Sequence, residues 1–216
     1  MAQQVRKRPN DVLRDSEWTK AQLLDAARLE FSEKGLSGAR VNDIAARASV
    51  NKQMLYYYFG DKENLYCAVL NHAYEEIRAR ENELDLAALA PVAAMERFIG
   101  FTFDYLTENR YFVALLNDEN IHKARHILDS EHLQGLHERL QETIGDILTR
   151  GEREGVFRPN VDPIDLYISI ASLCYFYYSN IHTLSAIFGR DLSDRSATQH
   201  RRQHVIDFVG AYLEKK

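Results

Sequence analysis

Apolar residues recur at intervals of three and four almost throughout this chain, and no stretch alternates as a half-buried strand does, so the predicted fold is all-α. A first helix is predicted over Glu17–Lys34, capped by Ser16 or Asp15, with the stripe Leu24, Ala27 and Phe31 and Gly35 as its stop. Two short helices follow, Val41–Ala48 and Lys52–Tyr58. Gly60-Asp61 then breaks the pattern, and Asp61 caps a long fourth helix to Asn82 with the stripe Leu65, Val69, Ala73 and Ile77. A fifth helix starts at Pro91, which suits a first turn, and reaches Glu108. Tyr111–Leu128 reads as one broken helix or two short ones. Ser130–Glu154 carries Leu133, Leu136, Leu140, Ile144 and Ile147 on one face, and Gly155 ends it. Asp162-Pro163 combines a capping carboxylate with proline at N1 and starts an eighth helix running to Phe188. The ninth, Asp194–Glu214, shows Val205, Phe208, Val209 and Tyr212. About nine helices are expected, with boundary errors of roughly three residues.

Composition changes this picture little. The 216 residues are 45% hydrophobic and 27% charged, enough to bury a sizeable core. Met1–Asn10 is basic but leads into Asp11 and Arg14, so it is no secretory signal. Ile164–Tyr178 is too short and too interrupted to span a bilayer, and no membrane partner is expected. Cys67 and Cys174 sit in apolar helical patterns and read as free thiols in a reducing cytoplasm.

Charge is more informative. The total is −5, but Met1–Lys62 holds 11 basic and 8 acidic residues against 16 and 24 beyond it. A basic head on an acidic body fits nucleic-acid contact, and a solvated basic tail would look the same. The Arg6-Lys7-Arg8 run either tracks a groove next to the reading site or is simply solvated.

The head has the pattern of a helix-turn-helix. Two short helices can cross closely where the first presents a small residue, here Ala45 beside Ile44. Val50 after the turn and Leu55 beneath the second helix anchor the pair. Asn51, Lys52, Gln53, Tyr56 and Tyr57 are left facing outward, and such side chains donate to phosphates or reach base edges.

The stretch VNDIAARASVNKQMLYYYFGDKENLYCAVL resembles the TetR family of bacterial transcriptional regulators. The features that match are Ile44-Ala45, Ala48, Val50, Leu55-Tyr56, Phe59, Lys62 and Leu65, behind a first helix ending at Gly35. Two positions depart from the family's pattern. Ser49 stands where glycine is usual in the turn, which predicts slight strain. Arg40 stands where threonine usually starts the second helix; it cannot cap but can reach a phosphate.

The resemblance implies a flexible arm (1–14), a tri-helical, homeodomain-like reading domain (15–60), a linking helix (61–82) and an effector-binding and dimerisation domain (83–216). It also implies base reading by Gln53, Tyr57 and Asn51, with phosphate contacts from Arg40, Lys52, Tyr56 and Lys62. The double-stranded target would be a palindromic operator, because a dimer places two recognition helices. The dimer is expected through the last two helices, about 162–188 and 194–214; the eighth is apolar nearly all round and must be covered on several sides. "GEREGVFRPNVDP" resembles the turn that introduces the family's dimer-forming helices.

Aromatic residues are concentrated in the body and can line a pocket for a small organic effector, aromatic compounds being the first to test. The expected lining is Phe101, Tyr105, Phe112, Asn120, His122, Tyr167, Tyr175 and Asn180. Effector binding would then change the separation of two heads through the fourth helix and release the DNA. Glu119, His122 and His126 have a spacing that could bind Zn²⁺, but "NDENIHKARH" is charged as solvated faces are, and neither metal nor cofactor is expected. An enzyme is disfavoured: the chain has no Gly-rich phosphate loop, no G-x-S-x-G elbow and no CxxC pair. The remaining alternative is a constitutive architectural DNA binder without an effector.

Overall fold

The computed structural model describes residues 9–128 and 131–215, and these form two compact units divided between His72 and Ala73. Arg6-Lys7-Arg8, Ser130 and the side chain of Leu136 lie outside the described residues. Eleven α-helices and one 3₁₀ turn are present among those described, with no strand. The two extra helices arise because the sixth and eighth predicted segments are each split.

The first unit holds α1 (Pro9–Gly38), α2 (Val41–Arg47), α3 (Lys52–Phe59) and the first half of α4 (Lys62–Asn82). Helix α1 starts eight residues before the predicted Glu17, so Asp15 and Ser16 lie inside it and are not its cap. Gly35, at φ 66°, interrupts its geometry where the stop was predicted. Its buried stripe is Leu23, Ala27 and Phe31. Leu23, not Leu24, is fully enclosed, a shift of one residue around the helix. Phe31 meets Tyr66 of α4 edge-on at 5.1 Å, and Ile44, Ala45, Leu55, Phe59, Leu65 and Val69 complete the core.

The turn between α2 and α3 closes with two backbone bonds, Val50 N–H to Ala45 O and Ser49 N–H to Ala46 O, each at 3.0 Å. This is a Schellman closure, and it places Ser49 at φ 55° in the left-handed region. The strain predicted at the missing glycine is therefore present. Asp61 caps α4 by accepting from Asn64 N–H at 2.7 Å.

The second unit holds the rest of α4, a 3₁₀ turn at Leu86–Ala88, and α5 (Pro91–Glu108), α6 (Arg110–Ile121) and α7 (Arg125–Leu128). After these come α8 (Glu131–Arg153), α9 (Pro163–Ser179), α10 (Ile181–Phe188) and α11 (Arg195–Leu213). Helix α5 is the central element, with Phe98, Ile99, Phe103 and Tyr105 fully enclosed. Asp162 Oδ1 accepts from Ile164 N–H and Asp165 N–H, both at 2.9 Å, and Pro163 follows at N1 as predicted.

The break between α6 and α7 repeats the Schellman closure, with Lys123 and Ala124 both at positive φ. The buried Glu119 carboxylate holds it, accepting from His126 N–H at 2.8 Å and facing His126 Nδ1 at 2.7 Å. That pairing ties the two ends of the break together. Arg202 Nε donates to both oxygens of Asp104, at 2.8 and 3.0 Å, joining α11 to α5. No helix among the described residues is long and apolar enough to cross a membrane.

Candidate functional site

Two candidate sites emerge, one in each unit. In the first, α3 presents its outer face. Leu55 and Phe59 are four apart and buried, which rotates Lys52, Gln53, Tyr56 and Tyr57 outward. Tyr57 is 78% exposed and Tyr56 49%, high values for aromatic side chains on a small unit. The pairs Lys52/Tyr56 and Gln53/Tyr57 are each one turn apart, so the two candidate phosphate donors and the two candidate base readers form adjacent rows.

Asn51 is exposed at the N-cap, and its Oδ1 accepts from Gln53 N–H at 2.9 Å. Its oxygen is thus committed to the helix, and the side-chain amide N–H₂ is the group left for contact. Arg40 stands at the N-cap of α2, exposed and with no side-chain cap bond. Tyr58 packs inward, and its hydroxyl donates to Ser16 Oγ at 3.1 Å.

Lys62 is engaged within the fold. It was expected on a phosphate, but its ammonium donates to the carbonyls of Leu36 at 2.7 Å and Ala39 at 3.1 Å. These oxygens close the end of α1, so Lys62 positions the head. The sequence pattern could not distinguish a cation aimed at DNA from one aimed at a helix C-terminus.

In the second unit, α4, α5, α6 and α9 line a half-open cavity of about 470 Å³. Four expected residues line it: Phe112, Asn120, Tyr167 and Tyr175. Four do not. Phe101 and Tyr105 belong to a different depression with Arg97 and Asp104, because the cavity face of α5 is Thr102 and Leu106, one residue further along. One residue is about 100° around a helix, enough to change neighbours completely. His122 caps α6, its Nδ1 lying 2.8 Å from Asp118 O. Asn180 sits at the α9–α10 break, donating to Phe176 O at 3.1 Å.

Tyr74, Ile77 and Arg78 of α4, and Ile168, Ala171 and Ser172 of α9, also line the cavity and were not expected there. The one available signal was Arg78, a cation directly after Ile77 of the apolar stripe. Tyr74 is buried, and that burial pushes its phenol above the ordinary range, so it is a neutral hydroxyl. The Tyr175 hydroxyl donates to Asn117, and burial raises its pKa too. The cavity is thus apolar in its walls, with neutral hydroxyl and amide groups and one guanidinium.

Residues 23–69 match the family described as bacterial regulatory proteins, tetR family, and residues 91–209 match the tetracyclin repressor-like C-terminal domain. With the helix-turn-helix and the helical body already described, these matches show that the chain belongs to the TetR family of bacterial transcriptional regulators. It is 37% identical over 179 residues to the HTH-type transcriptional repressor NicS of Pseudomonas putida, a match covering 83% of this chain and 84% of that one. Among solved structures, a TetR transcriptional regulator from Chloroflexus aurantiacus superposes with a TM-score of 0.69 at 20% identity, covering 94% of this chain and 100% of the other. The ketosteroid transcriptional regulator KstR2 of Mycobacterium tuberculosis gives 0.67 at 22% identity, covering 100% and 99%. At those identities the two structures speak to the fold alone.

Proposed function

We propose that this regulator is a dimeric repressor, released from a palindromic operator when a small organic effector fills the cavity of the second unit. The observation that carries the DNA half is the outward face of α3, where Lys52, Gln53, Tyr56 and Tyr57 are exposed over buried Leu55 and Phe59. Nothing in packing requires two adjacent tyrosines in water, whereas a major-groove contact uses both ring and hydroxyl. Arg40 adds a phosphate donor. The reading domain (15–60), linking helix (61–82) and effector and dimerisation domain (83–216) keep their assigned roles. The arm, proposed as 1–14, is shortened by a helix that already starts at Pro9.

The effector half rests on the 470 Å³ cavity, a volume suited to a molecule of drug size. A constitutive architectural binder would need no such space, and a saturable small-molecule response separates the two readings. Helix α4 contributes Leu65 and Val69 to the core of the first unit and Tyr74, Ile77 and Arg78 to the cavity of the second, so a ligand that moves α4 acts on both. The dimer reading rests on apolar side chains left in water on the last helices: Phe176 of α9, Ile187 and Phe188 of α10, and Phe208 and Tyr212 of α11.

The test is DNA binding by fluorescence anisotropy on the promoter region flanking the protein's own gene, at two salt concentrations. Saturable binding to a short palindrome, weakened by Lys52→Ala and Tyr57→Ala, is the expected result. Nonspecific binding that neither substitution alters would remove α3 as the reader and leave the architectural alternative.

A further inference from the structure

Arg78 is 6% exposed, and it is the one charged side chain among the described residues lining the 470 Å³ cavity. Its Nη1 pairs with Glu81, whereas its Nε is buried and has no hydrogen-bond partner. Glu81 does not line this cavity; it lies with Arg78 on a neighbouring void of about 40 Å³, room for water only. Nη1 thus serves the protein, while the guanidinium as a whole is the cation that borders the cavity.

A buried cation is costly, and an anion supplied from the cavity offsets part of that cost. Burial also pushes the Glu81 carboxyl up to about 7 against the pull of Arg78, so near neutrality Glu81 only partly cancels the guanidinium charge.

We propose that the effector is a small organic anion whose carboxylate is bound by the guanidinium of Arg78, its apolar body lying among Leu106, Phe112 and Tyr167. This rests on the reading of the cavity as the effector site. Neutral Tyr74 sits one turn before Arg78 on α4 and lines the same space.

The experiment is calorimetric titration of the full chain with matched carboxylate and amide probes: benzoate and benzamide, 4-phenylbutyrate and its amide, octanoate and octanamide. A charge-assisted pair predicts that at least one carboxylate binds about ten- to a hundred-fold tighter than its amide. Arg78→Gln/Glu81→Gln, which leaves no lone buried charge, should abolish that preference, and Arg78→Lys should retain part of it. Melting curves of each variant establish that it is folded. Equal binding of acid and amide, or a preference surviving in the double variant, overturns the proposal and leaves the effector reading standing. If none of these probes binds, the proposal also falls. The effector reading itself falls only if a broad thermal-shift library, charged and neutral, yields no ligand either.

Discussion

The ammonium of Lys62 donates to the carbonyl oxygen of Leu36 at 2.7 Å and is held again by Ala39 O at 3.1 Å. One side chain at the start of α4 thus satisfies carbonyls that the end of α1 leaves open. Lys62→Met should lower stability by about 1–3 kcal/mol through loss of these charged bonds. The slope of operator affinity against salt should stay as in the parent, because no phosphate contact is lost. Lys52→Ala should do the reverse, leaving the melting temperature nearly unchanged and reducing the slope by roughly one ion. A reduced slope in Lys62→Met would return that residue to the DNA contacts.

Ser49 holds a left-handed backbone, φ 55°, to close α2 before α3. An L-residue there costs roughly 1–2 kcal/mol, and glycine offsets part of that relief by its greater freedom when unfolded. Ser49→Gly should therefore raise stability by about 0.5–1 kcal/mol, read from urea denaturation at constant m-value. Ser49→Val should destabilise, since a β-branched side chain tolerates this region least. A destabilised glycine variant would mean that the serine hydroxyl supports the turn.

The head was more legible in the sequence than the cavity, for a physical reason. In the head, helices are short and one-sided, so Leu55 and Phe59 fix the direction of every neighbour. Helix α5 buries Phe98, Ile99, Phe103 and Tyr105 over a broad arc, and the row Arg97, Phe101, Asp104 and Glu108 marks its outer side, a signal that the density of aromatic residues masks. Phe101 and Tyr105 were therefore chosen where Thr102 and Leu106 face the cavity. The breaks at His122 and Asn180 carry neither glycine nor proline. The first is held by the Glu119–His126 contact, seven residues apart, which no local pattern announces. Lys62 shows the complementary limit: its position was recognisable, but its partner, 26 residues earlier, was not.

Glu81 gives a pH dependence with a definite sign. Its carboxyl is raised to about 7 by burial, against an ordinary 4.5. Between those values the folded chain keeps a proton that the unfolded chain has lost, so this group makes stability fall as pH rises from 4.5 to 7 and level off above. The full span corresponds to on the order of 3 kcal/mol. Glu81→Gln should remove that descending component, leaving a flatter curve in urea melts from pH 4.5 to 8. An unchanged curve in the variant would show that Glu81 stays ionised throughout and that Arg78 is fully compensated.

Phe176 of α9 and Phe208 of α11 are 56% and 57% exposed, while Ile170, Val205 and Val209 on the same helices are buried. Each helix thus has an inner apolar face that packs within its own unit and an outer apolar face that does not. Two such faces on consecutive long helices suit a self-complementary four-helix contact with a second copy. Phe176→Glu/Phe208→Glu places carboxylates at that contact and should give a monomer by sedimentation with the helical signal intact. One head alone loses the gain from simultaneous engagement of two half-sites, so operator affinity should drop by about 10²–10⁴-fold. Binding to an isolated half-site should be little changed, which separates a lost dimer from a damaged reading helix. A variant that remains dimeric would move the interface away from these two phenylalanines.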